Sequence, residues 1–349
     1  FRGGAPPTPR WVEELPELPA GLEWVLPPFR RGFPALVQAR DGAAFVAEAD
    51  RLFDLAPVES LELAAAGATD VRALAACPGL ARLKRLVIRE GAGQATAQVM
   101  LNSPHLGSLE ELVIGAGLTS ARTAAAVVGS PAFRRLRSFS YRDEQRGGAM
   151  VNALAGLASP PPLRALDLQG NRLTGEGLER LAAAPFASGL EILDIGDNTL
   201  GPAGFAASAV GAFPALRGLS AMGTYPGANG IFAAGVSLST LRALNLGGNH
   251  LGPDGGAAVA TLGFRELRVL DLRDNQIGDL GVHGLLAFDW VGGLLQLDLA
   301  ENRIGEAGAD ALLAARGLDG LIALDLGGNP IPADARTALR ERFGARLLL

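Results

Sequence analysis

Residues Leu163–Pro185 read LRALDLQGNRLTGEGLERLAAAP. Leu163, Leu166 and Leu168 fall on the spacing L-x-x-L-x-L, and Asn171 and Leu173 follow. The x-L-x-L-x core alternates with period two, so it reads as a short strand with one buried face. From Leu190 the chain says nearly the same thing again, LEILDIGDNTLGPAGFAASAV. The pattern also begins at Val58, Leu83, Leu109, Leu136, Leu216, Leu241, Leu267, Leu294 and Leu321. Counted together these are about eleven units of roughly 25–27 residues, a period typical of stacked repeats.

After two further residues, six units place an asparagine: Asn171, Asn198, Asn249, Asn275, Asn302 and Asn329. Two positions beyond each comes Leu173, Leu200, Leu251, Ile277, Ile304 or Ile331. The segments LGPAG, LGPDG, IGDLG and IGEAG then start a helix. Pro202 and Pro253 suit its first position, and Asp279 and Glu306 face the positive end of its dipole. A stripe such as Gly308, Ala309, Leu312 and Leu313 should be buried. One strand and one helix cannot cover their own apolar faces, whereas stacked units seal one another. A turn inside such a stack has no water, and a side-chain amide supplies both donor and acceptor. The six asparagines are therefore a structural ladder.

These residues resemble the leucine-rich repeat family, LxxLxLxxNxL. The 27-residue period and the GxxG ahead of the helix are similar to its ribonuclease-inhibitor-like class. The resemblance implies an α/β leucine-rich-repeat solenoid, a right-handed horseshoe with strands inside and helices outside. Ala66, Gly91, Gly117, Glu144 and Thr224 depart from the asparagine. FRRGFPALVQARDGAAFVAEADRLFDLAPVESLEL, from Phe29 to Leu63, resembles the lead-in of bacterial repeat proteins that carry an amino-terminal companion domain. That domain would lie upstream of Phe1. The expected organisation is a Pro-rich lead-in and cap at 1–57 (strand 33–39, helix 43–55). Repeats follow at 58–332, and a closing helix and tail at 333–349. Trp11 and Trp24 would tack the lead-in down.

Composition bounds the function. Of 349 residues, 48% are hydrophobic and 19% charged, with a net charge of −5. Nothing here attracts nucleic acid or anionic lipid. Arginine supplies all the basic residues but Lys84, a codon bias that suits a GC-rich bacterial genome. A lone cysteine, Cys77, excludes an internal disulfide. Gly218–Leu241 is uncharged, but its Pro, Asn and glycines and its framing by repeat leucines argue against a membrane span.

Chemistry is poorly served. The phosphate-loop pattern is absent. His105, His250 and His283 are far apart, and His250 and His283 read as exposed bystanders. The aspartates of DLRDNQIGDLG lack calcium-loop spacing. The expectation is a non-enzymatic chain with no cofactor and no metal.

What remains is the face of the strands. Asp167, Asp194, Ser220, Asn245, Asp271, Asp298 and Asp325 form a column, with Arg273 beside it. Two readings stand: an acidic strip for a basic partner, or plain repeat consensus among small neighbours such as Ala165, Gly196, Ala243, Gly247, Ala323 and Gly327. Arg137, Arg164, Arg217, Arg242 and Arg268 form a second row that would pair with those aspartates or with solvent. Arg85, Arg89 and Arg142 should face inward nearer the amino end. Irregular unit four offers Arg142, Asp143 and Glu144; irregular unit seven offers Met222, Thr224 and Tyr225, residue types favoured at interfaces. The expected function is a monomeric, cytoplasmic protein-binding module or scaffold, docking a protein partner on the concave face. A regulator of a small GTPase, like the similar Ran-type activators, and a rigid spacer for an upstream domain are the alternatives.

Overall fold

The computed structural model describes residues 15–25, 29–30, 33–65, 71–90, 94–115, 120–142, 147–209, 213–234 and 238–349. The chain divides into two compact units, Phe1–Phe139 and Ser140–Leu349.

In the first unit, β1 (Leu22–Trp24) pairs antiparallel to the edge of a sheet. The Trp24 indole nitrogen donates to the Pro16 carbonyl (2.9 Å), which ties the lead-in down; Trp11 lies outside the described residues. The single strand expected at 33–39 is interrupted. Phe33–Pro34 (β3) pairs with Phe29–Arg30 (β2), and Leu36–Ala39 (β4) pairs with β1. Pro34 has no N–H to continue a ladder. Helix α1 (Gly42–Leu55) is capped by Asp41, whose carboxylate accepts the Ala44 N–H at 2.8 Å. Strands β5 (Ser60–Ala65), β6 (Arg85–Glu90) and β7 (Glu111–Ile114) continue parallel to β4, alternating with helices α2 (Val71–Ala76), α3 (Gln94–Leu101) and α4 (Ala121–Val128). Phe45, Leu61, Leu80, Leu83 and Leu86 are fully buried between strands and helices. The division between the units falls within β8 (Ser138–Tyr141).

The second unit opens with α5 (Gly147–Ala155) and repeats a three-residue strand and a helix. The strands are β9 (Ala165–Asp167), β10 (Ile192–Asp194), β11 (Gly218–Ser220), β12 (Ala243–Asn245), β13 (Val269–Asp271), β14 (Gln296–Asp298) and β15 (Ala323–Asp325). The helices are α6 (Gly175–Ala182), α7 (Gly201–Ala209), α8 (Gly227–Ala234), α9 (Gly255–Ala260), α10 (Gly278–Leu286), α11 (Glu306–Ala314) and the closing α12 (Ala333–Phe343), before β16 (Leu347–Leu348). All eight strands pair in parallel and in sequence order. The equivalent leucines, Leu166, Leu193, Leu219, Leu244, Leu270, Leu297 and Leu324, stack in one buried row. Each unit is thus an α/β leucine-rich-repeat solenoid, and a strand follows each of the eleven sequence patterns.

Close approach of the helices depends on glycine. A Cβ at Gly256 in α9 would collide with the Gly281 carbonyl of α10. Pro202 sits second in α7, but Pro253 precedes α9, which starts only at Gly255. Gly252, at φ 69°, turns the chain first, and Gly255 donates back to its carbonyl at 2.9 Å.

Candidate functional site: the strand face of the second unit

The ladder asparagines hold the turns that end each strand. All six are buried, at 0–3% exposure. Asn275 is representative. Its Oδ1 accepts the N–H groups of Asn249 (3.0 Å) and Leu251 (3.3 Å), and its Nδ2 donates to the carbonyls of Leu246 and Leu272. Asn198, Asn302 and Asn329 repeat this arrangement, each receiving the two N–H groups of the preceding turn. Asn171 Nδ2 donates to the Tyr141 carbonyl. Residues flanking the asparagine, or Thr224 in its place, adopt left-handed backbone: Arg172, Asp197, Tyr225, His250, Asp274, Gln276, Glu301 and Arg303 all have φ between 50° and 61°. For a side chain as bulky as tyrosine that costs of order 1 kcal/mol.

Unit seven breaks the pattern for a readable reason. Where other turns offer two N–H groups to the next asparagine, this turn has Pro226, which has none. Asn249 Oδ1 takes the N–H groups of Thr224 (2.7 Å) and Tyr225 (2.8 Å) instead. Thr224 keeps its own hydroxyl satisfied on the Ala221 carbonyl at 2.8 Å. The ring of Tyr225, 46% exposed, stacks on His250 at 5.7 Å and 14°. His250 is exposed, and Gln276 Nε2 donates to its Nδ1 at 2.9 Å.

Along the strand ends, register places Asp167, Asp194, Ser220, Asn245, Asp271, Asp298 and Asp325 side by side. Neighbouring strands lie about 4.8 Å apart, so the carboxylates of β13, β14 and β15 crowd one another. Each acid has a local task. Its Oδ1 accepts the backbone N–H two residues on, at 2.8–3.0 Å: Gln169, Gly196, Arg273, Ala300 and Gly327. Asn245 does the same for Gly247 at 2.9 Å without a charge. The turn needs the oxygen and not the charge.

Burial pushes the Asp194, Asp271 and Asp298 carboxyls above the usual range, with repulsion from neighbouring aspartates adding to it. Asp298, between Asp271 and Asp325, is raised to about 6. Cations are few. Arg142 binds Asp167 Oδ2 at 2.8 and 3.1 Å, beside the Ser140 hydroxyl. Arg273 stands 3.8 Å from Asp271 and reaches across Gly247 to the Met222 sulfur, also at 3.8 Å. Among the described residues, Asp298 and Asp325 have no arginine or lysine within ion-pair distance.

The arginine row does not neutralise this column. Arg164 pairs with Glu191, Arg217 and Arg242 converge on Glu266, and Arg268 donates to the Gly293 carbonyl. These arginines stand three residues earlier in the repeat than the aspartates, about 10 Å along an extended chain. Sequence reading also missed the partners of Arg85 and Arg89 in the first unit. Arg85 meets Glu111 at 2.7 Å and Arg89 pairs with the buried Glu62. Asp143 and Glu144 lie outside the described residues.

A cleft of about 270 Å³ at Pro160–Pro162, Pro185 and Phe186 has Arg164 as its one titratable lining group. Among the described residues, no group of three His, Cys, Asp or Glu side chains is placed to hold a metal ion. Nor, among them, is any helix long and apolar enough to cross a membrane.

Four stretches, 159–182, 237–260, 265–286 and 294–313, match the family described as Leucine Rich repeat. These stretches, with the fold, show that the chain is built of leucine-rich repeats. The match with residues 159–313 falls wholly in the second unit. No curated protein matches the chain. Among solved structures, this repeat protein is similar to a chain of the yeast Rad7–Elc1 complex, with TM-score 0.57 and 16% identity over 86% of this chain and 79% of that one. An internalin from Listeria monocytogenes aligns at TM-score 0.46 and 17% identity over 81% of this chain and 78% of that one. Repeat proteins of this fold are generally protein–protein interaction modules and typically not enzymes.

Proposed function

We propose that this chain is a non-catalytic protein-binding module whose second unit docks a basic partner on its strand face. The observation that carries the reading is the contrast between Asn245 and its neighbours. A neutral side chain completes the strand-end turn, so the charges of Asp194, Asp271, Asp298 and Asp325 serve something other than the fold. Crowding them costs stability, and a cationic partner would recover it by supplying the missing counter-charges. The yeast neighbour occurs in a protein complex, which supports the class of role. Affinity capture with the wild-type chain and with Asp271→Arg/Asp298→Arg tests the proposal. Proteins retained by the wild type should be lost from the charge-reversed chain and should elute with rising salt. Equal recovery by both chains would refute docking on this face.

A further inference from the structure

Tyr225 supplies a second element of recognition beside the carboxylate column. Its backbone is held in the left-handed region (φ 57°) and its N–H is bonded to Asn249, which sets the ring at the rim of the turn. His250 covers one side of that ring. On the other side, extension of the β10–β11 register sets Thr199 opposite Tyr225, and threonine is too short to cover it. The same register sets Asp197 opposite Gly223. There a Cβ would come within 2.7 Å of the Asp197 carboxylate, so the acid lies over bare backbone two residues from the tyrosine. Asp197 is exposed, and its Oδ2 accepts from Gln169 Nε2 at 2.7 Å, which fixes the carboxylate but brings no positive charge.

An aromatic face beside a fixed anion is complementary to a planar cation. A guanidinium can stack on the ring while donating to the carboxylate; an ammonium can make only the point-charge contact. We infer that the open face of Tyr225, with Asp197, is a docking point for an arginine side chain of a protein partner. The inference rests on the reading of the second unit as a binding module for a basic protein, and it names the residue type recognised.

Tyr141, buried at 1%, and Tyr225 are the two tyrosines, so ring-labelled protein gives two sets of NMR signals, one of them an internal control for folding. The probes are the peptides acetyl-Gly-Arg-Gly-Arg-Gly-amide and its lysine and citrulline counterparts, titrated into the whole chain. The arginine peptide should move the Tyr225 signals saturably and leave Tyr141 unmoved. Binding should weaken about fivefold with lysine or with Asp197→Asn, and more with citrulline. An unmoved Tyr225, or equal movement with citrulline, overturns the assignment. Asp271→Asn/Asp298→Asn separates it from the parent reading. If Tyr225 still responds in that variant, the arginine site stands whatever the fate of the strand-face docking. If the response is lost there but kept in Asp197→Asn, the arginine belongs to the column and the Tyr225 site is refuted.

Discussion

In the first unit, Arg85 lies against Glu111, Arg89 against Glu62 and Lys84 against Glu59. In the second, Asp271, Asp298 and Asp325 stand side by side with Arg273 as their nearest cation. The same parallel-strand scaffold carries both arrangements. A face that balances its own charge cross-strand is complete as it stands. A face of like charges is held together by backbone and core, and its repulsion is left to solvent, protonation or a bound cation to relieve. The described asparagine ladder runs through the second unit and holds the strand-end turns that carry these carboxylates.

Substitutions can break each side of this comparison. The largest effect belongs to the ladder. Asn275→Ala leaves the buried N–H groups of Asn249 and Leu251 without an acceptor, and urea unfolding should show a loss of about 3 kcal/mol. In the first unit, Arg89→Ala strands the buried Glu62 carboxylate. Because Arg89 is itself largely exposed, the loss should be nearer 1–2 kcal/mol on the same assay. Asp298→Asn should go the other way. The amide keeps the oxygen that accepts from Ala300, as Asn245 does for Gly247, and removes a charge whose folded-state pKa of about 6 stands above its ordinary 3.8. Folding therefore takes up a proton between those values. The contribution of Asp298 to stability is greatest below pH 4, falls as the pH rises to about 6 and is level above. The variant should be more stable at pH 7.5 by about 1 kcal/mol after solvent screening, and no more stable at pH 3.5. The smallest effect is Arg242→Ala, whose exposed pairing with Glu266 is worth less than about 0.5 kcal/mol.

The repeat was legible because its period, its stacked leucines and its asparagines all follow from one packing requirement. The position of each aspartate could be read from register alone. What could not be read is where the arginines go. One-letter spacing shows Arg164, Arg242 and Arg268 near Asp167, Asn245 and Asp271, but three residues of extended chain carry them to Glu191, Glu266 and a backbone carbonyl. The Tyr225–His250 stack was hidden for another reason. Tyr225 and His250 each stand one position past the ladder place in adjacent repeats, so the strand offset brings their rings together, and that pairing shows only when two turns are compared side by side.

While the chain is alone, Asp298 stands in a crowded aspartate column with no arginine or lysine partner among the described residues. Carbon-detected NMR of the aspartate side-chain carboxyls measures this directly. Asp298 should titrate at about 6 in the free protein, and Asp271→Asn should move its midpoint down. A midpoint for Asp298 at the ordinary aspartate value of 3.8 would contradict it.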